Sequence, residues 1–490
     1  MSANTALELE DVVFRYQEKG KRNILDHTSL SIPAGTLTVL MGGSGCGKST
    51  LAAVAAGLYP ENGGFLEGGT IRLYGQDLKT LDPQKRAAYL TVLFQNPDLQ
   101  FCMNTLREEM RFCLENIRVP AGEMDARIDR AAAELGIAPL LDRTLSTLSG
   151  GEKQKIAFSS VYASAPDVLV FDEPSSNLDM KAIGELADLI QRAKISGKTI
   201  LIAEHRIWYL MDIVDRVVYM QDGRIASDME ASAFKALPEA DIRRMGLRVR
   251  DLSVSESGGV KTIAADGLLS VQKISVRLDG RNVLNDISFQ ASRGEIIAIA
   301  GVNGAGKSTL ARMLCGLQKN GSGTVLWAGK PMSRRLRRKK AYMVMQDVGH
   351  QLFTDSVSAE CALGIKAPNK DEIDRTLEKV DLLAYKERHP LSLSGGQMQR
   401  LAVVVSDICG KELLVFDEPT SGLDLKSMEE VGTLTRSLAT QGKVLLIITH
   451  DIEFMIRICT RILFIRDGEI VEDLSGGQKE KIVRLLRGEA

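Results

Sequence analysis

Short apolar runs recur along the chain, and each is followed by a glycine, a charged or a polar residue. Three lie in the first half and three in the second: LTVLM, VLVF, TILIA, IIAIA, LLVF and VLLII, which begin at residues 37, 168, 199, 296, 413 and 444. Runs without alternation are typical of strands buried on both faces of a parallel sheet. Between them lie amphipathic stretches such as MDARIDRAAAEL (124–135), whose apolar residues recur at helical spacing. The pattern predicts an α/β fold, in which mostly parallel sheet cores carry inserted helical subdomains at residues 97–147 and 348–392.

The chain is an internal repeat. GGSGCGKST (42–50) returns as GVNGAGKST (301–309), and VLVFDEP returns as LLVFDEP. The offset between the copies shortens from 259 to 245 residues and then stays constant, as expected for duplicated domains whose loops differ in length. Near residues 230–268 the apolar periodicity lapses into SVSESGG, which indicates a linker. The predicted domains are therefore residues 1–229 and 269–490, joined by the linker 230–268.

Composition and charge narrow the possible functions. The chain has 490 residues, of which 62 are basic and 63 acidic, so its net charge of −1 gives no global field for nucleic acid, and no nucleic-acid partner is expected. Its seven cysteines form no CxxC pair, which argues against a structural zinc site and favours a reducing cytoplasm. The start lacks a secretory pattern, and the longest apolar runs fall far short of the ~20 residues that span a bilayer. We therefore expect any membrane role to be that of a peripheral subunit on the cytoplasmic face.

Two glycine loops carry the first chemical signal. GGSGCGKST and GVNGAGKST both match GxxxxGK[ST] between a predicted strand and a predicted helix, the context that makes this motif specific. Glycines let backbone N–H groups point at a phosphate, while Lys48 or Lys307 neutralises the β and γ oxygens. The predicted ATP-binding residues of these loops are Gly42, Ser44, Gly45, Gly47, Lys48, Ser49 and Thr50, and Gly301, Asn303, Gly304, Gly306, Lys307, Ser308 and Thr309.

Acidic pairs follow two of the buried strands. Asp172 and Asp417 come at the carboxyl ends of VLVF and LLVF, where α/β sheets bind their ligands. Glu173 and Glu418 follow directly, and a carboxylate beside a γ-phosphate can polarise the attacking water. The residues predicted to hold Mg²⁺ on these grounds are Ser49, Asp172, Ser308 and Asp417.

Together these motifs resemble two ATP-binding cassette (ABC) ATPase domains in tandem. The resemblance rests on the phosphate loops, two LSGG segments, FDEP, SNLD or SGLD, and a histidine after the next strand, and it covers nearly the whole chain outside the linker. It implies ATP hydrolysis with Mg²⁺ and supplies catalytic roles by position. His205 and His450 match the switch histidine on the γ-phosphate. Gln95 and Gln346 match the glutamine that senses Mg²⁺ and water and links the site to a membrane partner.

The LSGG segments have a physical interpretation as helix starts. Ser149 and Glu152, like Ser394 and Gln397, have the spacing of a capping box, which begins a helix and directs its N–H groups at an anion. In the resembled family that anion is the γ-phosphate held by the opposite domain of a head-to-tail pseudo-dimer. The implied composite sites join Lys48 with Ser394, Gly395 and Gly396, and Lys307 with Ser149, Gly150 and Gly151. A third LSGGQ, residues 474–478, has no phosphate loop or FDEP of its own and is interpreted as a helix start, not as a third ATP site.

The two sites are predicted to differ at the adenine. The family's stacking aromatic matches Tyr16, which precedes the first phosphate loop by 26 residues. Alignment of RNVL (281–284) with RNIL (22–25) places Leu278 at the corresponding position. Leucine offers contact but no π-face, so we expect weaker nucleotide binding at the second loop.

The segments after the two glutamines indicate the kind of ABC protein. NPDLQF and DVGHQLF resemble the corresponding region in the ATPases of energy-coupling factor (ECF) transporters, bacterial importers of vitamins and of cobalt or nickel. The second copy departs from the pattern at Val348 and Gly349. The resemblance implies two partners, an integral-membrane transmitter subunit and a separate substrate-binding membrane subunit. Phe101 and Phe353 are expected to line the grooves that receive the transmitter's helices.

Other functions compete with the ECF interpretation. A tandem sugar-import ATPase usually carries one altered site, whereas both Glu173 and Glu418 are present. A soluble translation factor of the F subfamily usually has a long charged helical linker, whereas the predicted linker contains SVSESGG. The basic run SRRLRRKK (333–340) could contact RNA or lipid head groups, but the mild charge of the matching first-half segment favours a solvated helix face.

Overall fold

The chain forms two compact units, Met1–Arg250 and Asp251–Ala490. The computed structural model describes residues 5–18, 22–97, 100–148, 150–252, 266–278, 280–319, 321–475 and 477–487. Each unit has one six-stranded and one four-stranded sheet. The repeat in the sequence is therefore a repeat of architecture. Within these described ranges, no helix is both long and apolar enough to cross a membrane.

The first unit contains ten strands and eight α-helices in its described residues. The strands are β1 (Thr5–Arg15), β2 (Leu25–Pro33), β3 (Leu37–Met41), β4 (Phe65–Leu73), β5 (Gln76–Asp77), β6 (Leu90–Leu93), β7 (Val168–Asp172), β8 (Thr199–Ala203), β9 (Arg216–Gln221) and β10 (Arg224–Glu230). The helices are α1 (Lys48–Ala55), α2 (Pro83–Tyr89), α3 (Leu106–Asn116), α4 (Ala121–Leu135), α5 (Gly150–Tyr162), α6 (Met180–Ile195), α7 (Ala231–Ala236) and α8 (Glu239–Arg244).

The second unit repeats this order with two differences in its described residues: a helix lies between its eighth and ninth strands, and one helix instead of two follows its last strand. The strands are β11 (Leu269–Leu278), β12 (Arg281–Ala291), β13 (Ile296–Ala300), β14 (Ser322–Trp327), β15 (Lys330–Pro331), β16 (Ala341–Val344), β17 (Leu413–Asp417), β18 (Val444–Ile448), β19 (Arg461–Arg466) and β20 (Glu469–Ser475). The helices are α9 (Lys307–Leu314), α10 (Arg334–Lys340), α11 (Val357–Ala362), α12 (Lys370–Glu378), α13 (Gly395–Ile408), α14 (Leu425–Thr440), α15 (Ile452–Ile458) and α16 (Lys479–Arg487).

A mostly parallel six-stranded sheet forms the centre of each unit. Its order is β10–β9–β3–β8–β7–β6 in the first unit and β20–β19–β13–β18–β17–β16 in the second. All neighbouring pairs are parallel except the edge hairpins β9–β10 and β19–β20. Every residue of β3, β8, β13 and β18 is buried, which explains why their sequences show no alternation. The predicted α/β fold is confirmed.

The four-stranded sheet of each unit is antiparallel, in the orders β2–β1–β4–β5 and β12–β11–β14–β15. In the first unit, one apolar cluster contains Leu7 and Phe14 of β1, Leu51 of α1, and Val170 and Leu201 of the parallel sheet. Helix α1 therefore shares a core with both sheets, which fixes the position of the loop that precedes it.

The inserted helices lie where the sequence predicts them, with α3 and α4 in the first unit and α11 and α12 in the second. The periodic residues Met124, Ile128 and Leu135 form the buried side of α4. That helix ends at Gly136, whose φ of 70° is the left-handed conformation usual at a helix C-terminus. The predicted helical subdomains are thus present in both units.

The first part of the predicted linker is folded. Helices α7 and α8 lie within it, and Phe234, Ile242 and Leu247 are buried in a core cluster of the first unit. The sequence pattern did not predict these two helices, because each has only six residues and buries only one of them, which gives no periodic apolar signal. The boundary between the two units falls at residues 250 and 251. Residues 253–265 lie outside the described ranges.

The third LSGGQ begins inside a strand. Leu474 of β20 is buried and pairs with Ile462 of β19, and Ser475 is the last residue of β20. The Ser475 N–H donates to Gln478 Oε1 (3.2 Å), the reciprocal half of a capping box, and the helix predicted to follow begins at Lys479. Gly476 is outside the described residues. This segment is the connection from an edge strand to the last helix.

The basic run forms helix α10, but it is only partly solvated. Arg337 is buried and donates to Met313 Sδ (2.8 Å), and Arg334 donates to the carbonyl of Gly316 (2.9 Å). Lys340 pairs with Glu412. The prediction of a solvated helix face is therefore wrong for these three positions, whose side chains attach α10 to the unit.

Phe234→Ala should lower the free energy of unfolding of the first unit by about 3–5 kcal/mol, because truncating a fully buried phenylalanine leaves a cavity. Lys235→Ala, its exposed neighbour, should change it by less than ~0.5 kcal/mol. Urea unfolding can be followed through Trp208, which packs against the same core cluster, in a Trp327→Phe background. A loss below ~1 kcal/mol in Phe234→Ala would show that residues 231–247 do not belong to the folded unit.

Candidate nucleotide-binding sites

The first phosphate loop joins β3 to α1. Gly47 precedes the helix with a left-handed φ of 105°, and a Cβ there would lie 3.0 Å from the Ile24 carbonyl oxygen. The Lys48 ammonium is buried and donates to the carbonyl oxygens of Gly42 (3.0 Å) and Gly43 (3.2 Å). The loop therefore curls around its own lysine, the arrangement from which backbone N–H groups and an ammonium bind phosphate.

The second phosphate loop has the same construction between β13 and α9. Gly306 has a φ of 98°, and a Cβ there would lie 2.7 Å from the Val283 carbonyl oxygen. Lys307 Nζ donates to the carbonyl oxygens of Gly301 (2.8 Å) and Val302 (2.9 Å). Both loops thus have the backbone form that the sequence motif predicts.

Each loop serine contacts the aspartate predicted to share Mg²⁺ with it. Ser49 Oγ donates to Asp172 Oδ1 (2.7 Å), and the Ser308 side chain lies near enough to Asp417 to favour the ionised carboxylate. Burial raises the pKa of Asp172 to about 6, and the charge of Glu173 adds to the rise. Burial also raises the pKa of Asp417. A hydroxyl and a carboxylate oxygen fit Mg²⁺, which takes few protein ligands and completes its shell with phosphate and water.

No other metal site competes with these pairs in the part of the chain that the structure describes, since no group of three or more His, Cys, Asp or Glu could hold an ion there. A cation beside Asp172 or Asp417 would favour the ionised carboxylate that burial disfavours. The donor sets therefore fit Mg²⁺ bound together with a nucleotide, and they do not resemble a metal cage built from protein alone.

Glu173 lies at the centre of the first site. Gln95 Nε2 donates to Glu173 Oε2 (2.9 Å), and His205 Nε2 lies 3.2 Å from Glu173 Oε1. Burial opposes ionisation of Glu173, but the charge and hydrogen bond of His205, together with Lys48, hold its pKa below the ordinary value. The first unit thus brings all three predicted catalytic residues into contact, with an ionised carboxylate between them.

Glu418 has a different set of partners in the second site. Its Oε2 accepts from Thr449 Oγ1 (3.2 Å) and from the N–H of His450 (3.3 Å). His450 Nε2 lies 3.6 Å from Glu418 Oε1 and 3.1 Å from Asn303 Oδ1 in the phosphate loop. Gln346 is exposed, and among the described residues no hydrogen bond joins it to Glu418. The second site therefore lacks the glutamine contact of the first and replaces it with a threonine.

Both glutamates predicted to be catalytic have an unusual backbone. Glu173 has a φ of 44° and Glu418 a φ of 51°, in the left-handed region that residues with a Cβ seldom adopt. Their N–H groups donate to the carbonyls of Ala203 and Ile448, each at 2.9 Å, the last residues of β8 and β18. The neighbouring strand thus holds each glutamate in a strained conformation, a feature that is common at functional sites.

The second LSGG segment forms the predicted capping box. Ser394 Oγ accepts from the N–H of Gln397 (3.4 Å), and Gln397 Oε1 accepts from the N–H of Ser394 (2.9 Å), at the start of α13. In the first unit α5 begins at Gly150, and Ser149 lies outside the described residues. The binding roles assigned to Ser149, Gly150, Gly151, Ser394, Gly395 and Gly396 remain predictions.

The last glycine of each LSGG segment lies close to a neighbouring side chain. A Cβ at Gly151 would lie 2.8 Å from the Cβ of Ala182 in α6, and one at Gly396 would lie 3.3 Å from Leu423. At Gly151 only glycine permits this approach without a shift of α6, whereas at Gly396 a small movement of the end of the Leu423 side chain would make room.

Tyr16 offers a platform beside the first loop. Its hydroxyl hydrogen-bonds to Thr50 Oγ1 (2.9 Å), its ring packs edge-on against Phe14 and Tyr59, and 48% of the residue is exposed. Leu278 pairs with Arg281 at the end of β11 and packs against the core of the second unit. The aromatic platform is therefore present near the first loop, and its sequence counterpart in the second unit is an aliphatic side chain.

The aromatic residues that follow the two glutamines, Phe101 and Phe353, are not equivalent. Phe101 packs against the core of the first unit, whereas Phe353 is 68% exposed. The N–H of Phe353 donates to a buried carboxylate, Glu360 (3.1 Å), and in the first unit that position is taken by Cys102, whose N–H donates to Glu109 (2.9 Å). The groove role predicted for Phe101 thus conflicts with its packing. Residues 98 and 99 are outside the described ranges.

Sequence reasoning missed a buried carboxylate next to the first switch histidine. Glu204 follows β8 and accepts from Tyr209 Oη (2.9 Å), from the N–H of His205 (2.7 Å) and from the hydroxyl of Ser175. The signal was present in the repeat, because the offset of 245 aligns EHR in the first half with THD in the second.

Comparison with known proteins gives a family match in both units. The sequence model of the family described as ABC transporter matches residues 25–176 and 284–421, which contain the phosphate loops and the acidic pairs. A relative from Treponema denticola, provisionally named as an ABC transporter ATP-binding protein, is 49% identical over 485 residues, which cover 97% of this chain and 98% of the relative. A relative from Bacillus subtilis, provisionally named HMP/thiamine import ATP-binding protein YkoD, is 30% identical over 506 residues, which cover 96% and 92%.

Solved structures give a likeness in fold. A structure of ribosome-bound archaeal Pelota and ABCE1 includes a chain that matches with a TM-score of 0.71 at 19% identity, covering 97% of this chain and 80% of that one. At this identity the likeness concerns the tandem fold alone.

Tyr16→Leu should weaken ATP binding at the first loop about fivefold, because loss of ring stacking costs ~1 kcal/mol when leucine retains part of the contact. Leu278→Tyr should strengthen binding at the second loop by a similar factor. Lys48→Ala and Lys307→Ala backgrounds, each of which leaves one intact loop, make equilibrium titration with ATP specific for one site.

Tyr16→Phe is the matched control, since it keeps the ring and removes only the hydroxyl that bonds to Thr50. It should bind ATP within about twofold of the unchanged protein. Unchanged affinity in both Tyr16→Leu and Leu278→Tyr would mean that other groups hold the adenine.

Proposed function

The chain belongs to the ABC transporter ATP-binding family of ATPases, and on this basis we propose that it powers a membrane importer of the ECF type for a vitamin or for cobalt or nickel. The observation that carries the proposal is the presence, in both units, of a phosphate loop that curls around its lysine and of a partly buried glutamate beside the histidine predicted to be the switch residue. A chain with two such centres is equipped to hydrolyse ATP at both, unlike tandem importers in which one site is altered.

The proposed chemistry follows from the contacts of the two glutamates. Glu173 and Glu418 would accept a proton from the attacking water, and an ionised carboxylate with a lowered pKa, as at Glu173, is ready to do so at neutral pH. Lys48 and Lys307 would bind the phosphates, while His205 and His450 would contact the γ-phosphate. Ser49 with Asp172, and Ser308 with Asp417, would hold Mg²⁺, which would supply charge neutralisation for the transferring phosphoryl group.

We further propose that the two units pair head to tail around two ATP molecules. A capping box such as Ser394–Gln397 leaves the N–H groups of a helix start directed at an anion, and the helix dipole adds to the attraction. The γ-phosphate on Lys48 would meet the start of α13, and that on Lys307 would meet the start of α5. Each site would then need both units for hydrolysis.

Two observations support the importer part of the proposal: the name of one relative, and the exposed apolar side chains next to Gln95 and Gln346. YkoD is provisionally named for HMP/thiamine import, and this chain spans 92% of its length. Exposed apolar side chains surround the two glutamines: Phe94 and Met345 directly precede them, and Phe353 follows the second. This surface suits helices of an integral-membrane transmitter, with a separate substrate-binding membrane subunit beside it and the ATPase on the cytoplasmic face.

Glu173→Gln combined with Glu418→Gln should bind ATP normally and hydrolyse it about 10²–10⁴ times more slowly, because the amide cannot accept the proton of water. Steady-state phosphate release and ATP titration of the purified protein measure the two properties. Glu185→Gln with Glu429→Gln, at exposed positions on α6 and α14, is the control and should keep full turnover. Near-normal hydrolysis in the first variant would remove both glutamates as bases.

Phe353→Ala should reduce recovery of the ATPase with solubilised native membranes while basal ATP hydrolysis persists, since it removes exposed apolar surface outside the phosphate site. Val471→Ala is the matched control, because Val471 is also exposed and lies in β20, at the opposite edge of the sheet from β16. Equal recovery of the two variants would contradict docking at Phe353.

A further inference from the structure

A buried carboxylate connects the two catalytic segments of the first site. Glu204 is 2% exposed and follows β8, directly before His205. Besides the hydroxyl of Ser175, it accepts from the N–H groups of Ser175 (3.3 Å), His205 (2.7 Å) and Arg206 (3.3 Å), and from Tyr209 Oη (2.9 Å). Ser175 is two residues beyond Glu173. One side chain therefore ties the turn after the catalytic glutamate to the backbone of the switch histidine.

The second unit makes the same connection with a different residue. At the offset of 245, Thr449 replaces Glu204 and Asp451 replaces Arg206. Asp451 Oδ2 accepts from Thr420 Oγ1 (2.9 Å), and Asp451 Oδ1 accepts from the N–H of Phe454 (3.2 Å), which caps helix α15. Thr420 corresponds to Ser175. The carboxylate lies directly before the histidine in the first unit and directly after it in the second.

Other positions change together with the carboxylate. Tyr209, whose hydroxyl donates to Glu204, is replaced by Phe454 in the second unit, where that acceptor is absent. Burial and the charge of Glu204 raise the pKa of Tyr209 well above its ordinary value, so its hydroxyl remains a donor. Residues 207–214 form turns where the second unit has α15, as expected when Arg206 replaces the capping aspartate. The two units thus hold alternative, internally consistent solutions.

We propose that Glu204 is a positioning residue of the first ATP site, which holds the backbone of His205 in place relative to Glu173. Four different residues donate to it in the interior, so its removal would leave several buried donors without an acceptor. The contact it supports, His205 Nε2 to Glu173 Oε1, is 3.2 Å long, and displacements of about 1 Å at a catalytic group can cost two orders of magnitude in rate. The inference rests on the proposed roles of Glu173 and His205.

The repeat supplies a rescue experiment. All rates are measured in a Glu418→Gln background, in which only the first site keeps its proposed base. There, Glu204→Thr introduces the residue of the second unit without its aspartate, and it should lower kcat for ATP hydrolysis at least ~10-fold while the KM for ATP stays within about twofold. The triple variant Glu204→Thr, Arg206→Asp, Tyr209→Phe installs the second-unit residues at these three positions, while Ser175 supplies the hydroxyl that Thr420 supplies in the second unit, and it should recover kcat to within about threefold of the Glu418→Gln protein. A residue that served only stability would lower the melting temperature and leave kcat of the folded protein unchanged.

The inference is overturned if Glu204→Thr keeps the original kcat, or if the triple variant is no more active than Glu204→Thr alone. Glu173→Gln in the same assay distinguishes failure of the proposed function from failure of this inference. Turnover that survives Glu173→Gln refutes the proposed role of Glu173. If Glu173→Gln abolishes turnover and Glu204→Thr leaves it unchanged, only the role of Glu204 is refuted. Should Glu204→Thr fail to fold, Glu204→Gln keeps the side-chain volume and replaces it in the assay. A loss of kcat at constant KM then supports the inference, and an unchanged kcat overturns it.

Discussion

Parallel pairing of the buried strands β3, β8 and β7, and of β13, β18 and β17, determines where the phosphate loops and the predicted catalytic glutamates and histidines lie. Leu40 pairs with Ala203, and Asp172 pairs with the same residue from the other side, so the three strands end at one level. The phosphate loop, the acidic pair and the switch histidine follow these ends. A slip in the pairing register of these strands would bury polar groups of the loops and expose apolar side chains. The hydrophobic core therefore fixes the register, and the register fixes the positions of the site residues.

One hydrogen bond extends this pairing into the chemistry. The N–H of Glu173 or Glu418 donates to the last carbonyl of the adjacent strand, which continues the ladder by one residue while the glutamate backbone turns left-handed. Both glutamate side chains are partly buried, so a carboxylate without hydrogen-bond or charge partners would cost folding free energy there. The partners of each glutamate are therefore essential to the site. The first unit uses Gln95 and His205 as partners, and the second uses Thr449 and His450. Two copies of one fold thus hold the same carboxylate by different contacts, so the two sites have different electrostatic environments.

Much of this architecture could be predicted from the sequence, because buried parallel strands and glycine loops leave strong patterns. The unbroken run IIAIA and the GxxxxGK[ST] spacing each predict one local structure, and both are present. Weaker patterns failed: α7 and α8 bury one residue each, and Phe101 and Phe353 look alike in sequence but occupy positions that differ in burial. Glu204 was missed because a glutamate after an apolar strand gives no sign of being buried, and its partners Ser175 and Tyr209 lie on either side of it along the chain.

The structure of the full chain bound to ATP and Mg²⁺ tests the central claim most directly, which is that each site is built by both units. The account predicts two nucleotides, one on Lys48 with its γ-phosphate at the start of α13 and one on Lys307 with its γ-phosphate at the start of α5. Nucleotides bound at both phosphate loops while the starts of α5 and α13 contact only solvent would contradict it.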